Sequence, residues 1–184
     1  RLATISNGVT TWELAYLLGG MLSQIDKDGA ITDMAVDPGG IGNVASVVSD
    51  ALVVSHMHGV GFTALRSGDS HYAFPTFDGL GSTSETTDIT SGQLACELYA
   101  PFGELLHTSH TSGVDFHFVG QLGVSAGVDT LYNMRARWYD SRLGRFLSED
   151  PMGISGGING YQYALNNPAQ RVDPLGLKPG DYDP

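Results

Sequence analysis

The sequence predicts an all-β chain, a ribbon of short strands joined by tight turns. The chain is rich in turn formers, with 25 glycines and 8 prolines. No segment keeps a 3.6-residue apolar period over a dozen residues, so long amphipathic helices are not expected. Asn7-Gly8 sits between two alternating runs, a dipeptide suited to the positive φ angles of a two-residue hairpin turn.

The strand candidates follow in order. "RLATIS" and "VTTWEL" flank Asn7-Gly8, and "MLSQI" and "AITDMAV" flank "DKDG", a longer turn ending at Gly29. "NVASVVSDALVVSH" reads as one β-branched strand with a bulge. "TSETTDITSGQLACELY" reads as two strands around Ser91-Gly92, and "VDFHFVG" and "LYNMRARWYD" as one strand each. Residues 150–170 carry Gly, Asn and Pro irregularly, which predicts short helical turns. A loose repeat runs through the chain. Tyr16 precedes Gly20 and Leu22, Tyr99 precedes Gly103, Leu105 and Leu106, and Tyr139 precedes Gly144, Phe146 and Leu147. Each is an aromatic, a glycine-centred turn and an apolar strand start. Such a unit buries its face only by stacking on neighbours.

Hydrophobic residues make up 41 % of the chain, enough for an ordered core, whereas charged residues make up only 16 %. So few charges predict a surface partly covered by other protein. The net charge of -11 lies in the first 134 residues, while 135–184 balance to zero. An acidic body argues against nucleic acid, whose phosphates need basic patches. No stretch is long and apolar enough to predict a membrane span. Arg1 opens directly into patterned sequence, which predicts a piece of a longer protein. Cys96 is the sole cysteine, so it predicts a small buried hydrophobe rather than redox or metal chemistry.

The few cations concentrate in "RARWYDSRLGR", which holds Arg135, Arg137, Arg142 and Arg145. In an acidic chain these predict an internal ion-pair hub, because guanidinium forks suit carboxylates. The cluster runs into Asp150-Pro-Met-Gly, and a matching Asp173-Pro-Leu-Gly follows. Asp-Pro-x-Gly is a good turn in its own right. Two convergent carboxylates would also resist joint ionisation, so one could serve as general base and the other as general acid.

Several long motifs occur in a fixed order: "DGLGS" at 78–82, "YAPFG" at 99–103, "FVGQ" at 118–121, "LYNMRARWYDSRLGRFLSEDPMG" at 131–153, "NGYQYALNNP" at 159–168 and "DPLGL" at 173–177. In these the chain resembles the RHS/YD-repeat family, most closely its RHS-repeat-associated core. The resemblance divides the chain into divergent YD-like hairpins over 1–71, the core over 72–177 and a linker stub over 178–184. It is poor over 52–74, and Ala100 and Ser141 replace an Asp and a Pro of the family pattern, changes expected to alter local turns.

The resemblance implies a spiralling ribbon of β-hairpins with an irregular C-terminal plug, part of a hollow shell around a toxin domain. It implies partners, the rest of the shell and that toxin domain, and a secreted, cell-surface or injected location. It implies self-cleavage after "DPLGL", at Leu177–Lys178, by Asp150 and Asp173, with Arg145 steadying one carboxylate or polarising the carbonyl. A non-enzymatic structural or adhesion module, as in the teneurins that share the shell, is the alternative, and a sugar-binding surface a third. A partial shell would also expose strand edges, which predicts self-association.

No cofactor or metal is expected. His56 and His58 lie at strand spacing, but no Asp-His follows, and His107, His110 and His117 could join them only through the fold. "DKDG" and "DPGG" at 37–40 lack a calcium-loop ligand series and read as turns. The glycines of "LLGGML" and "DPGGIG" form no nucleotide-binding pattern. Trp12 and Trp138 are expected to pack in the core rather than to stack on sugars.

Overall fold

The computed structural model describes residues 3–17, 21–36, 44–49, 52–59, 61–67, 71–89, 92–109, 115–128, 130–177 and 180–181. Eleven strands form one antiparallel meander in chain order: β1 (Thr4–Ser6), β2 (Thr11–Tyr16), β3 (Leu22–Lys27), β4 (Ala30–Val36), β5 (Val44–Ser49), β6 (Leu52–Gly59), β7 (Gly61–Ser67), β8 (His71–Phe77), β9 (Thr83–Asp88), β10 (Gln93–Tyr99) and β11 (Leu105–Thr108). A four-stranded sheet follows, of β12 (Ser125–Ala126), β13 (Leu131–Met134), β14 (Arg137–Asp140) and β15 (Arg145–Phe146). The last pair is β16 (Arg171–Val172) with β17 (Gly180–Asp181). The expected helical turns occur as 3-10 turns at Gly153–Gly156 and Ala164–Asn166, and a third forms at Gly120–Leu122. The chain is thus all-β, and the hairpin ribbon expected from sequence is its main element.

The ribbon repeats more regularly than its sequence. The register slips at Ala15/Tyr16, Ala35/Val36, Met57/His58, Thr76/Phe77 and Leu98/Tyr99. Each slip leaves an extra residue on the following strand: Ser23, Ala45, Thr63, Ser84 and Leu106. A bulge bends its strand and adds right-handed twist, so one bulge in every second strand pairing coils the ribbon. Ser23 and Ser84 fill equivalent places and donate Oγ–H to Ala15 O and Thr76 O, both at 3.2 Å. Tyr16 and Tyr99 of the loose sequence repeat sit at these slips. Tyr139 does not, since it pairs in plain register with Phe146.

Five local expectations are corrected. Ser6 pairs with Thr11, so the first turn is longer than the Asn7-Gly8 pair. The Asn7 side chain accepts the N–H groups of Val9 and Thr10 and holds the wider loop. The "DKDG" turn is instead a tight one, with Lys27 opposite Ala30 and Asp28 and Gly29 at φ 50° and 92°. "NVASVVSDALVVSH" is the hairpin β5–β6, with Ser49 opposite Leu52. "LYNMRARWYD" is the hairpin β13–β14, with Met134 opposite Arg137 and Arg135 left-handed at φ 54°. "VDFHFVG" contributes no strand within its described residues, 115–120. Phe116, Phe118 and Val119 are all buried, which an alternating strand with one exposed face does not allow.

Residues 116–121 lie across the ribbon instead. Thr83 Oγ1 donates to Phe116 O at 2.6 Å, Val119 N to Ser82 Oγ at 3.1 Å and Gln121 N to Gly81 O at 3.0 Å. The main core is in the C-terminal unit, where Phe118, Tyr132, Met134, Tyr139, Phe146 and Tyr163 pack together. Trp138 reaches into the first hairpins beside Leu14 and Leu22 and donates its indole N–H to Tyr16 Oη at 2.8 Å. It is a core residue, as expected. Tyr139 and Tyr132 donate to Phe102 O and Gly103 O, so the unit also grips the turn that carries Ala100. That turn still closes, with Gly103 N donating to Ala100 O at 2.8 Å.

Candidate active site at the closing turn

The two-residue turn after Met134 sets Arg137 at the start of β14, facing inward. β15 ends at Phe146 and leads into the segment that holds Asp150, whose N–H donates to Gly160 O. β16 delivers Asp173 directly after Val172. Three segments distant in sequence thereby meet at one guanidinium.

Arg137 Nη2 lies 3.0 Å from Asp150 Oδ2 and 3.1 Å from Asp173 Oδ2. The side chains are 2 %, 4 % and 0 % exposed, so this is an enclosed charge cluster. Arg137 Nη1 donates to Gly160 O at 2.9 Å and Nε to Gly176 O at 2.6 Å. The Phe146 ring covers one face of the guanidinium, 3.6 Å from its centroid. Burial lowers the pKa of Arg137, and the two carboxylates pull it back up.

Each carboxylate also uses its other oxygen. Asp150 Oδ1 accepts the Met152 N–H at 2.8 Å, and Asp173 Oδ1 accepts the Leu177 N–H at 3.0 Å. Both Asp-Pro-x-Gly motifs are therefore real turns, with Gly153 and Gly176 at φ 60° and 63°. Gly156 is needed for close approach, because a Cβ there would collide with the Asp150 carboxylate. A Cβ on Gly176 would lie 2.5 Å from Met134 O. Burial drives the Tyr163 phenol, packed beside Asp173, well above its usual range.

The residues singled out in sequence divide clearly. Asp150 and Asp173 are brought together, but across a cation rather than face to face. Arg145 is exposed, with its guanidinium 5.3 Å from the Tyr161 ring centroid. Its backbone pairs with Asp140 and Gln162, which turns the side chain outward, and Arg137 takes the place expected for it. Arg135 pins the closing turn, donating to Pro174 O at 3.3 Å and Leu122 O at 2.9 Å. Burial brings its pKa down to about 10. Arg142 makes only a 4.0 Å surface contact with Glu104. The expected four-arginine hub is thus a two-arginine hub. Leu177 is held by its N–H, and Lys178 lies outside the described residues, as do His110 and the "DPGG" at 37–40. His56 is buried edge-on against Phe116, at 4.8 Å between centroids.

A third buried acid, Glu97, escaped the sequence reading. Glu97 accepts the Tyr99 hydroxyl and lies 2.9 Å from His117 Nδ1. Its inward direction was available from the alternation Ala95, Glu97, Tyr99 along β10. Its partner was not, because His117 belongs to a segment expected to be a strand.

No family model matches the chain. Sixty residues, 33 % of the chain, are 50 % identical to the probable deoxyribonuclease RhsB of Dickeya dadantii, of which they cover 4 %. Over 110 residues, 57 % of the chain, it is 35 % identical to double-stranded DNA deaminase toxin A of Burkholderia cenocepacia, of which 7 % is covered. The fold matches the crystal structure of TcdB2-TccC3-TEV at a TM-score of 0.68 and 19 % identity, over 96 % of this chain and 9 % of that one. The chain therefore spans a small part of each, and the last likeness concerns the fold alone.

Proposed function

The chain belongs to the RHS/YD-repeat proteins, and on that premise we propose that it forms the closing end of a toxin-enclosing shell and cuts its own backbone at Leu177–Lys178. The observation that carries this reading is Arg137 Nη2 shared between Asp150 and Asp173, with Asp173 also holding the Leu177 N–H. The buried charge cluster thus sits one peptide unit from the proposed cut.

In the proposed reaction one carboxylate takes a proton from water as the oxygen adds to the Leu177 carbonyl carbon. The other carboxyl delivers a proton to the Lys178 nitrogen as the C–N bond breaks. The products are a Leu177 carboxylate and a Lys178 amine. Arg137 holds the ionised member of the pair and stabilises charge as it builds up in an enclosed site. A single turnover within one chain needs modest catalysis, because the reacting groups are already neighbours.

A structural or adhesion role is the second reading, and the two formed turns favour it. The exposed strand β11, with Leu98 and Leu106 uncovered beside the ribbon edge, suits further shell strands under either reading. A chain extended past Pro184 separates the two. Intact mass should show the wild type cut after Leu177, and Asp150→Asn and Asp173→Asn folded but whole. A folded wild type that stays whole leaves only the wrapping role.

A further inference from the structure

Four contacts fix the closing turn upstream of the proposed cut. Arg135 Nη1 donates to Pro174 O at 3.3 Å, and Ala136 N to Leu175 O at 3.2 Å. Arg137 Nε donates to Gly176 O at 2.6 Å, and Leu177 N to Asp173 Oδ1 at 3.0 Å. This series takes every residue from 174 to 177 in turn, and it ends at an amide nitrogen. The Leu177 carbonyl, where the chemistry would occur, lies one bond rotation beyond the last of them.

The chain is caught again just past that bond. β17 pairs antiparallel with β16, with Val172 opposite Gly180 and Arg171 opposite Asp181. Residues on either side of the proposed cut, 171–172 and 180–181, thereby belong to the same short ladder. One arm of that ladder runs directly into Asp173. The proposed catalytic acid and the chain just beyond the proposed cut are thus indexed to each other by backbone register.

We propose that the β16–β17 ladder is a positioning strap, in which the chain downstream of the cut binds back as a strand and holds the Leu177–Lys178 peptide against Asp173. This rests on the self-cleavage reading. A peptide fixed on one side only samples many orientations, whereas one fixed on both sides is confined near the reactive one, the usual origin of high effective concentration. Recognition then comes from main-chain pairing, as when an extended peptide adds to a sheet edge. Side-chain identity at 179–181 should matter less than the ability to pair. The ladder has only two residue pairs, so once the bond is cut it should release the downstream chain readily.

The test is a cleavage time course, by intact mass, of the chain extended past Pro184. Wild type is compared with Gly180→Pro and Asp181→Pro, with Asp150→Asn as the uncut reference. A proline at the hydrogen-bonded position removes a ladder donor, so at least one of the two proline variants should cut about tenfold more slowly, at an unchanged melting temperature. Both proline variants cutting at the wild-type rate would overturn the strap while leaving the aspartate reading intact. Slowing that comes with a lowered melting temperature would also overturn it, by assigning the ladder to folding. A wild type as inert as Asp150→Asn removes the self-cleavage reading and the strap with it.

Discussion

The ribbon and the C-terminal unit solve opposite problems. From β1 to β11 the chain repeats one device, a hairpin with one bulge, and it buries little besides small and medium side chains such as Leu14, Ala64 and Ala73. From 115 to 177 almost nothing repeats. Interlocked aromatics and aliphatics, among them Phe118, Tyr139, Phe146 and Tyr163, pack beside a buried arginine and two buried acids. Backbone strain divides the same way. Among the described non-glycine residues, Val119, Arg135, Ala164, Leu165 and Asn166 hold positive φ in the C-terminal unit, and only Asp28 does so in the ribbon. A wall tolerates substitution because each hairpin depends mainly on its neighbours. A charge cluster needs every one of its supports. Strained non-glycine residues cost on the order of 1–3 kcal/mol each and persist where surrounding packing holds them.

Substitutions in the two regions should therefore differ sharply. The largest effect is expected at Arg137. Arg137→Met leaves two enclosed carboxylates without their cation, which should cost about 3–5 kcal/mol in denaturant unfolding and abolish cutting. Arg145→Ala, once expected to matter equally, should change stability by less than about 0.5 kcal/mol, because its side chain is exposed. A similar loss is expected from Phe146→Ala, about 3–5 kcal/mol, since it empties the core and uncovers the Arg137 face. Leu106→Ala on the exposed edge strand should fall within about 0.5 kcal/mol.

Glycines sharpen the comparison at an intermediate scale. Gly176→Ala meets a positive φ and the Met134 carbonyl together, so a loss of about 1–3 kcal/mol and slower cutting are expected. Gly8→Ala has the same hand of φ with open space around it, so it should lose about 1 kcal/mol and leave cutting unchanged. A further modest effect concerns the seam between the regions. Trp138→Phe removes the indole donor to Tyr16 Oη and should cost about 1 kcal/mol in thermal unfolding. An equal response of paired sites in wall and plug would break the contrast.

The ribbon was legible because alternation and glycine turns are local signals. The turn at Asp28-Gly29 could be located from its own residues, though not its two-residue length. The hairpin at Arg135-Ala136 could not, because neither residue is a turn former. Its left-handed arginine is held by Asn133 Oδ1 on its N–H and by side-chain bonds to Pro174 O and Leu122 O, contacts that exist only after folding. That unseen turn also explains the misplaced arginine. Reading 131–140 as one strand gives no reason for Arg137, rather than Arg145, to face the acids. Asp150 and Asp173 were legible as a pair because the Asp-Pro-x-Gly motif repeats. The cation between them was not, and it adds one shared guanidinium to the expected pair of acids.

The account stands most directly on the mass of the N-terminal product. A folded chain extended beyond Pro184 should yield a fragment ending at Leu177, and the Asp173→Asn chain should keep its full mass. A wild-type chain that folds, retains the buried cluster and remains at full mass contradicts the self-cutting site. So would cutting that proceeds unchanged without Asp173.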